Sequence, residues 1–204
     1  FQDLRPMCRR AENEREQAEI MRRKNVTRQM IKDYISQALL HLMQKKAYSQ
    51  ITIQEITAEA GVNRSTYYRN FTSKETIIQY IFGEIIDKFD AYAGEPLELS
   101  LPSCLPEMFH HFYKYQKTFL IIHKAGLSHL LLNAFNDYFK KVYGSDDAQL
   151  YAVYYHTGGI FNTFLLWLDQ EMKIPPDDMA QIALTYLLKN GIFDRQGREA
   201  ERTV

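Results

Sequence analysis

The stretch GVNRSTYYRNF, residues 61–71, reads as a short helix with almost no face to bury: beside two tyrosines, two arginines, Ser65 and Thr66, only Val62 and Phe71 are plainly apolar. Upstream, YSQITIQEITAEAG (48–61) sets Thr52 and Glu55 in the Thr-x-x-Glu form of a capping box. Ile53, Ile56 and Ala60 follow helical spacing, and Gly61 suits a helix stop. Asn63 is placed to cap the next helix. A capped helix of about eight residues, a turn of about three with a glycine, and a second short helix make the helix-turn-helix plan. In that plan the second helix presents its N-terminal residues to base edges in the major groove.

A helix that must stand in a groove cannot bury its whole circumference, which accounts for the polar face. Val62, Tyr67 and Phe71 are expected to hold it down while Arg64, Ser65, Thr66 and Tyr68 point outward. Arginine can bind guanine with two hydrogen bonds, and Ser or Thr can reach phosphates or bases. Tyr68 is suited to donate to a phosphate. Around this helix, Arg22, Arg23, Lys24 and Arg28 open the first helix, Thr52 opens the second, and Lys74 beside Ser73 opens the fourth. Helix N-termini attract anions, and the bases add full charges. The expected DNA-contacting set is therefore Arg28, Thr52, Asn63, Arg64, Ser65, Thr66, Tyr68 and Lys74.

The formal charge of the whole chain is zero, but residues 1–73 hold 13 Lys/Arg against 8 Asp/Glu, and residues 74–204 hold 12 against 17. A basic front module suited to a polyanion is joined to an acidic one. Cys8 and Cys104 fit no metal or disulfide pattern, so a reducing cytoplasm is expected, and the charged opening FQDLRPMCRR does not read as a secretory signal. Residues 148–168, AQLYAVYYHTGGIFNTFLLWL, lack Asp, Glu, Lys and Arg. Their polar load reads as a helix buried in protein, not as a membrane span.

Helical periodicity runs through the rest. Apolar pairs Met30/Ile31, Tyr34/Ile35, Ala38/Leu39 and Leu42/Met43 predict one broad stripe on a helix over 26–45. Ile77/Ile78, Ile81/Phe82, Ile85/Ile86 and Phe89 predict a long helix to about residue 93. GEPLELSLPSCLP (94–106) reads as a loop. Helices are then expected near 105–116, 118–124, 127–143, 147–171 and 176–190. The fold class is all-α: a charged arm at 1–24, a helix-turn-helix domain at 25–73, a larger helical domain at 74–191 and an exposed tail at 192–204.

On these residues the chain resembles the DNA-binding domain of TetR-type transcriptional regulators. ITIQEITAEAGVNRSTYYRNFTSKETII carries the family's pattern at Thr52, Ile53, Ile56, Ala60, Gly61, Val62, Tyr68, Phe71, Ser73, Lys74 and Glu75. It departs at Thr57, Asn63 and Asn70. GGIFNTFLLWLDQEMKIPPDDMAQIALTYL (158–187) is similar to the end of many members, where two helices pair with their twins. The resemblance implies a bacterial, nucleoid-associated repressor. It would act as a homodimer through helices near 147–171 and 176–190, bind a palindromic duplex and be released by a small-molecule effector. An alternative is the same fold with a second domain that binds a protein.

His110 and His111 are adjacent, so they diverge on a helix and do not share a metal easily; with His123, His129 and His156 they read as ordinary core or surface residues. Tyr113, Phe119, Phe135, Tyr138, Tyr154, Tyr155, Phe161, Phe164 and Trp167 read as core. An effector pocket between helices would draw on His123, Asn133, Tyr154, Phe161 and Asn162. With no phosphate loop, HExxH pair or Gly-x-Ser-x-Gly elbow, neither an enzyme nor a cofactor is expected.

Overall fold

The computed structural model describes residues 26–93, 101–143 and 147–189, and its regular elements there are all helical. The expectations for the arm 1–24, with Arg22, Arg23 and Lys24, and for the tail 192–204 lie outside the described residues. The chain forms two compact units that divide at Ile77/Ile78.

The first unit holds α1 (26–43), a 3-10 turn (Tyr48–Gln50), α2 (Ile53–Glu59), α3 (Arg64–Asn70) and the start of α4 (Lys74–Ala93). Its helix ends follow from local chemistry. Thr52 Oγ1 accepts from the Glu55 amide at 3.2 Å, and Glu55 Oε2 accepts from the Thr52 amide at 2.9 Å, which completes the capping box. Lys46 also pairs with Glu55. These contacts, Lys46 foremost, lower the Glu55 pKa to about 2. α2 stops in a Schellman turn, with Gly61 N–H bonded to the Ala58 carbonyl at 3.2 Å and Val62 N–H to that of Thr57 at 3.0 Å. Gly61 stands at φ +64°, where any Cβ would be strained. Asn63 Oδ1 accepts from the Thr66 amide at 2.8 Å and starts α3. The Ser73 hydroxyl accepts from the Thr76 amide at 3.3 Å at the start of α4.

Ile35, Leu39, Ile56, Tyr67 and Ile77 are fully buried and Phe71 nearly so. The stripe on α1 is narrower than its sequence suggests. Ile35, Ala38 and Leu39 are buried, whereas Met30 and Tyr34 remain exposed because they sit on the flank of that face. Tyr67 has a buried hydroxyl without a hydrogen-bond partner, a cost of about 1–3 kcal/mol that the burial of its ring must offset. Burial also pushes its pKa up to about 12.

The second unit contains the remainder of α4, then α5 (Leu101–Lys114), α6 (Gln116–Lys124), α7 (His129–Tyr143), α8 (Asp147–Asp169) and α9 (Pro176–Lys189). α7 lies against α8 and α5 against α9. The loop expected over 94–106 is helical from Leu101, with Pro106 inside α5. Pro102 falls in the first turn, where no amide donor is needed, so α5 absorbs two of the three prolines that suggested a loop.

Phe112 lies at the centre of an aromatic cluster. It stacks on Phe135 with centroids 5.5 Å apart and meets the edges of Phe119 and Phe164 at 5.5 and 5.6 Å. Trp167 is buried and donates through Nε1 to the Ile174 carbonyl at 3.0 Å. Not all of the aromatic set is core: Tyr154 and Tyr155 are exposed on α8, and Tyr113 is partly exposed while its ring stacks on Trp167 at 5.8 Å. His110 and His111 diverge as their adjacency requires. His110 pairs with Asp177 at 2.6 Å, while buried His111 bonds to the Ile85 carbonyl at 2.8 Å. Desolvation holds the His111 pKa below its usual value. No helix among the described residues is long and apolar enough to cross a membrane.

The Glu55 pKa lies below its ordinary 4.5 in the folded chain, so the stabilisation from its contacts is present above that pH and lost as the pH falls toward 2. Glu55→Gln keeps an acceptor for the Thr52 amide but cannot titrate. Thermal melts followed by circular dichroism are expected to show a shallower loss of Tm over this acidic window in Glu55→Gln; parallel curves would contradict the assignment.

Candidate nucleic-acid interface

The outer face of α3 and the helix ends beside it form the candidate interface in the first unit. Arg64, Ser65 and Tyr68 are exposed and Thr66 is half-buried, while Tyr67 fixes the opposite side of the same helix in the core. α3 is thus anchored by one face and bare on the other.

The bare face divides into two hydrogen-bonded groups. In one, Arg64 Nη2 donates to the Tyr68 hydroxyl at 3.2 Å, and the guanidinium lies 5.6 Å from that ring's centroid. The Tyr68 ring meets buried Tyr67 edge-on at 5.3 Å. In the other, Ser65 donates its hydroxyl hydrogen to Asn63 Oδ1 at 2.7 Å. Arg69 donates back to the Ser65 carbonyl at 3.3 Å, the Ser65 hydroxyl oxygen at 3.4 Å and the Thr66 hydroxyl oxygen at 3.5 Å. Arg69 is a cation of this face that the sequence reading passed over, although its spacing of four from Ser65 was visible.

The other sequence-selected residues carry structural duties as well. The Thr52 hydroxyl donates to Glu55 Oε2 at 2.8 Å, so its hydrogen is committed within the capping box. Lys74 donates to the carbonyls of Tyr48 and Ile51, both at 2.8 Å, and its ammonium lies 4.3 Å from the Tyr48 ring centroid. Two of its three hydrogens therefore tie the start of α4 to the segment before α2. Tyr48 in turn donates to Glu75 Oε1 at 2.9 Å, and burial with that carboxylate raises its pKa well above the ordinary tyrosine value. No spacing rule joins residues 26 apart, so this tie was not legible in the sequence. Arg28 is exposed on α1.

The five residues expected to line an effector pocket differ in their surroundings. His123 bonds to Ser128 Oγ and Asp169 Oδ1, both at 2.9 Å, which joins α6 to the end of α8. Phe161 is buried beside Phe135, whereas Tyr154 and Asn162 are exposed. Asn133 lines a groove, of about 470 Å³, between α4 and α7 with Gly83, Ile86, Asp87, Leu130 and Asp137. That volume is within the range of small-molecule sites, about 300–1,000 Å³.

Residues 35–81 match the family described as bacterial regulatory proteins, tetR family. The chain is 34% identical over 91 residues to the HTH-type dhaKLM operon transcriptional activator DhaS of Lactococcus lactis subsp. lactis (strain IL1403), a match covering 43% of this chain and 48% of that protein. By that measure the chain spans about half the length of this curated relative. Its fold is shared with a TetR transcriptional regulator from Streptococcus agalactiae 2603V, at TM-score 0.52 and 22% identity over 80% of this chain and 97% of that one. It is also shared with the dihydroxyacetone kinase operon activator DhaS, at TM-score 0.53 and 18% identity over 78% and 95%. Together with the capped helices and the Gly61 turn, the match over residues 35–81 shows that this chain carries the DNA-binding domain of the tetR family of bacterial regulatory proteins, and the solved structures show that it shares their fold.

Proposed function

We propose that this protein is a sequence-specific regulator of transcription that binds a palindromic DNA duplex as a homodimer. The observation that carries the reading is α3, locked into the core through Tyr67 while Arg64 stands exposed in its N-terminal half with Tyr68 one turn further on. Placed in a major groove, that half meets base edges, and neighbouring helix ends meet phosphates. Arg64 is the base-reading residue. Asn63, Ser65, Thr66, Arg28 and Lys74 support phosphate contact, Lys74 with its remaining hydrogen, and Thr52 caps the helix end beside them.

The dimer surface is assigned to α8 and α9. Tyr151, Tyr155, Gly159, Asn162 and Leu166 recur at helical spacing on α8, all exposed, and Ile182 is exposed on α9. A Cβ added at Gly159 would meet nothing within 4 Å, so a partner helix can approach there. Burying this stripe against its twin produces the two-fold symmetry that a palindrome mirrors.

Repression is the proposed output, since a dimer seated on a promoter excludes other proteins without a further contact surface. The relative DhaS is named as an activator. The site's position relative to the promoter, read with a reporter, decides the sign for this chain. The groove at Asn133 is the proposed effector site, and an effector acts by binding the DNA-free state more tightly than the DNA-bound state.

Duplex selection followed by binding titrations should show Arg64→Ala losing base preference with a penalty of about 1–3 kcal/mol on the preferred site. Lys74→Ala should weaken all duplexes alike and also lower Tm; unchanged preference in Arg64→Ala would remove α3 from the role. Leu166→Glu is expected to shift the light-scattering mass from two chains to one, and a mass already that of one chain in the unaltered protein would rule the dimer out. For the groove, Ala134→Phe should cancel the Tm shift of any compound that both stabilises the protein and releases DNA. Retention of the shift places the ligand elsewhere.

A further inference from the structure

We infer that Tyr68 is a positioning residue, which holds the Arg64 guanidinium in place for a base edge. The inference rests on the reading of α3 as the DNA-recognition helix. Residues 64 and 68 are four apart and so share one face of α3. Two independent contacts join them: the hydrogen bond at 3.2 Å and the guanidinium placed 5.6 Å from the ring centroid. The ring itself is fixed from below, since Tyr68 meets Tyr67 edge-on at 5.3 Å and Tyr67 is fully buried. A chain of contact therefore runs from the core of the first unit through two tyrosine rings to one exposed cation.

The other arginine of the helix supplies the contrast. Arg69 donates to the Ser65 carbonyl and hydroxyl and to the Thr66 hydroxyl, so its donors are turned back on its own helix. Arg64 has no such return contact to the helix backbone among its hydrogen bonds; Tyr68 restrains it while leaving most of its five donors for DNA. A free arginine side chain loses many rotamers when it docks on a base, and one already restrained loses fewer.

The test uses the full chain and selection from random duplexes, carried out on the unaltered protein, Arg64→Ala, Tyr68→Phe, Tyr68→Leu and the double variant Arg64→Ala/Tyr68→Phe. Tyr68 is about half exposed, so these variants are expected to fold, and thermal melts verify it. Arg64→Ala marks the base pair that Arg64 reads. Tyr68→Phe keeps the ring and removes the acceptor, and should lower preference at that same base pair about three- to tenfold while leaving other positions intact. Tyr68→Leu should lower it further, and Tyr68→Phe should have no effect there once Arg64 is absent. A loss seen in Tyr68→Leu alone assigns the positioning to the ring. Equal weakening of every duplex by Tyr68→Phe would make Tyr68 a phosphate ligand and overturn the inference, as would unchanged preference in both single Tyr68 variants. Intact preference in Arg64→Ala would instead sink the reading of α3, whatever the Tyr68 variants show.

Discussion

A helix of seven residues has no independent stability in water, so α3 exists because its surroundings impose it. The decisive contact is the burial of Tyr67 in the core of the first unit, backed by Phe71 at the helix end. Everything proposed for the outer face depends on this anchor, because a side chain can be aimed only from a backbone that does not move. The caps complete the constraint. Asn63 begins the helix, Gly61 turns the chain into it, and the Schellman bonds close the helix before it. The unpartnered Tyr67 hydroxyl is a cost carried within this anchor.

The same economy recurs in the polar residues nearby. Thr52, Asn63, Ser65 and Lys74 each make bonds that shape the first unit. Their positions at helix ends also place them where phosphates are favoured. A basic side chain that closes two carbonyls, as Lys74 does, is a fold element first and a charge second. In the second unit, the stacked rings around Phe112 and the His123 tie between α6 and α8 play the corresponding part.

The first unit was legible because its signals are local. Thr52 and Glu55, Gly61, Asn63 and Ser73 all act within a few residues of themselves, and each forms the bond its spacing suggests. The second unit was harder. The helix over Leu101–Lys114 was read partly as a loop because Pro102 and Pro106 are breakers in isolation, and a proline in a first turn cannot be recognised until the turn is known. Which aromatics face inward was undetermined on α8, a helix apolar over most of its surface, and so Tyr154 and Tyr155 were counted with the core they avoid. The Lys74 contacts with Tyr48 and Ile51 join positions distant in sequence, where periodicity carries no information.

The separation of α3 into two bonded groups bears on how such a protein could change its target. Asn63, Ser65 and Arg69 are interlocked with the helix start and backbone, so altering any of them disturbs the scaffold. Arg64 and Tyr68 hold chiefly to one another, resting on Tyr67. On the proposed reading of α3, two codons can therefore drift together toward a new genomic address while the scaffold that displays them stays as it is.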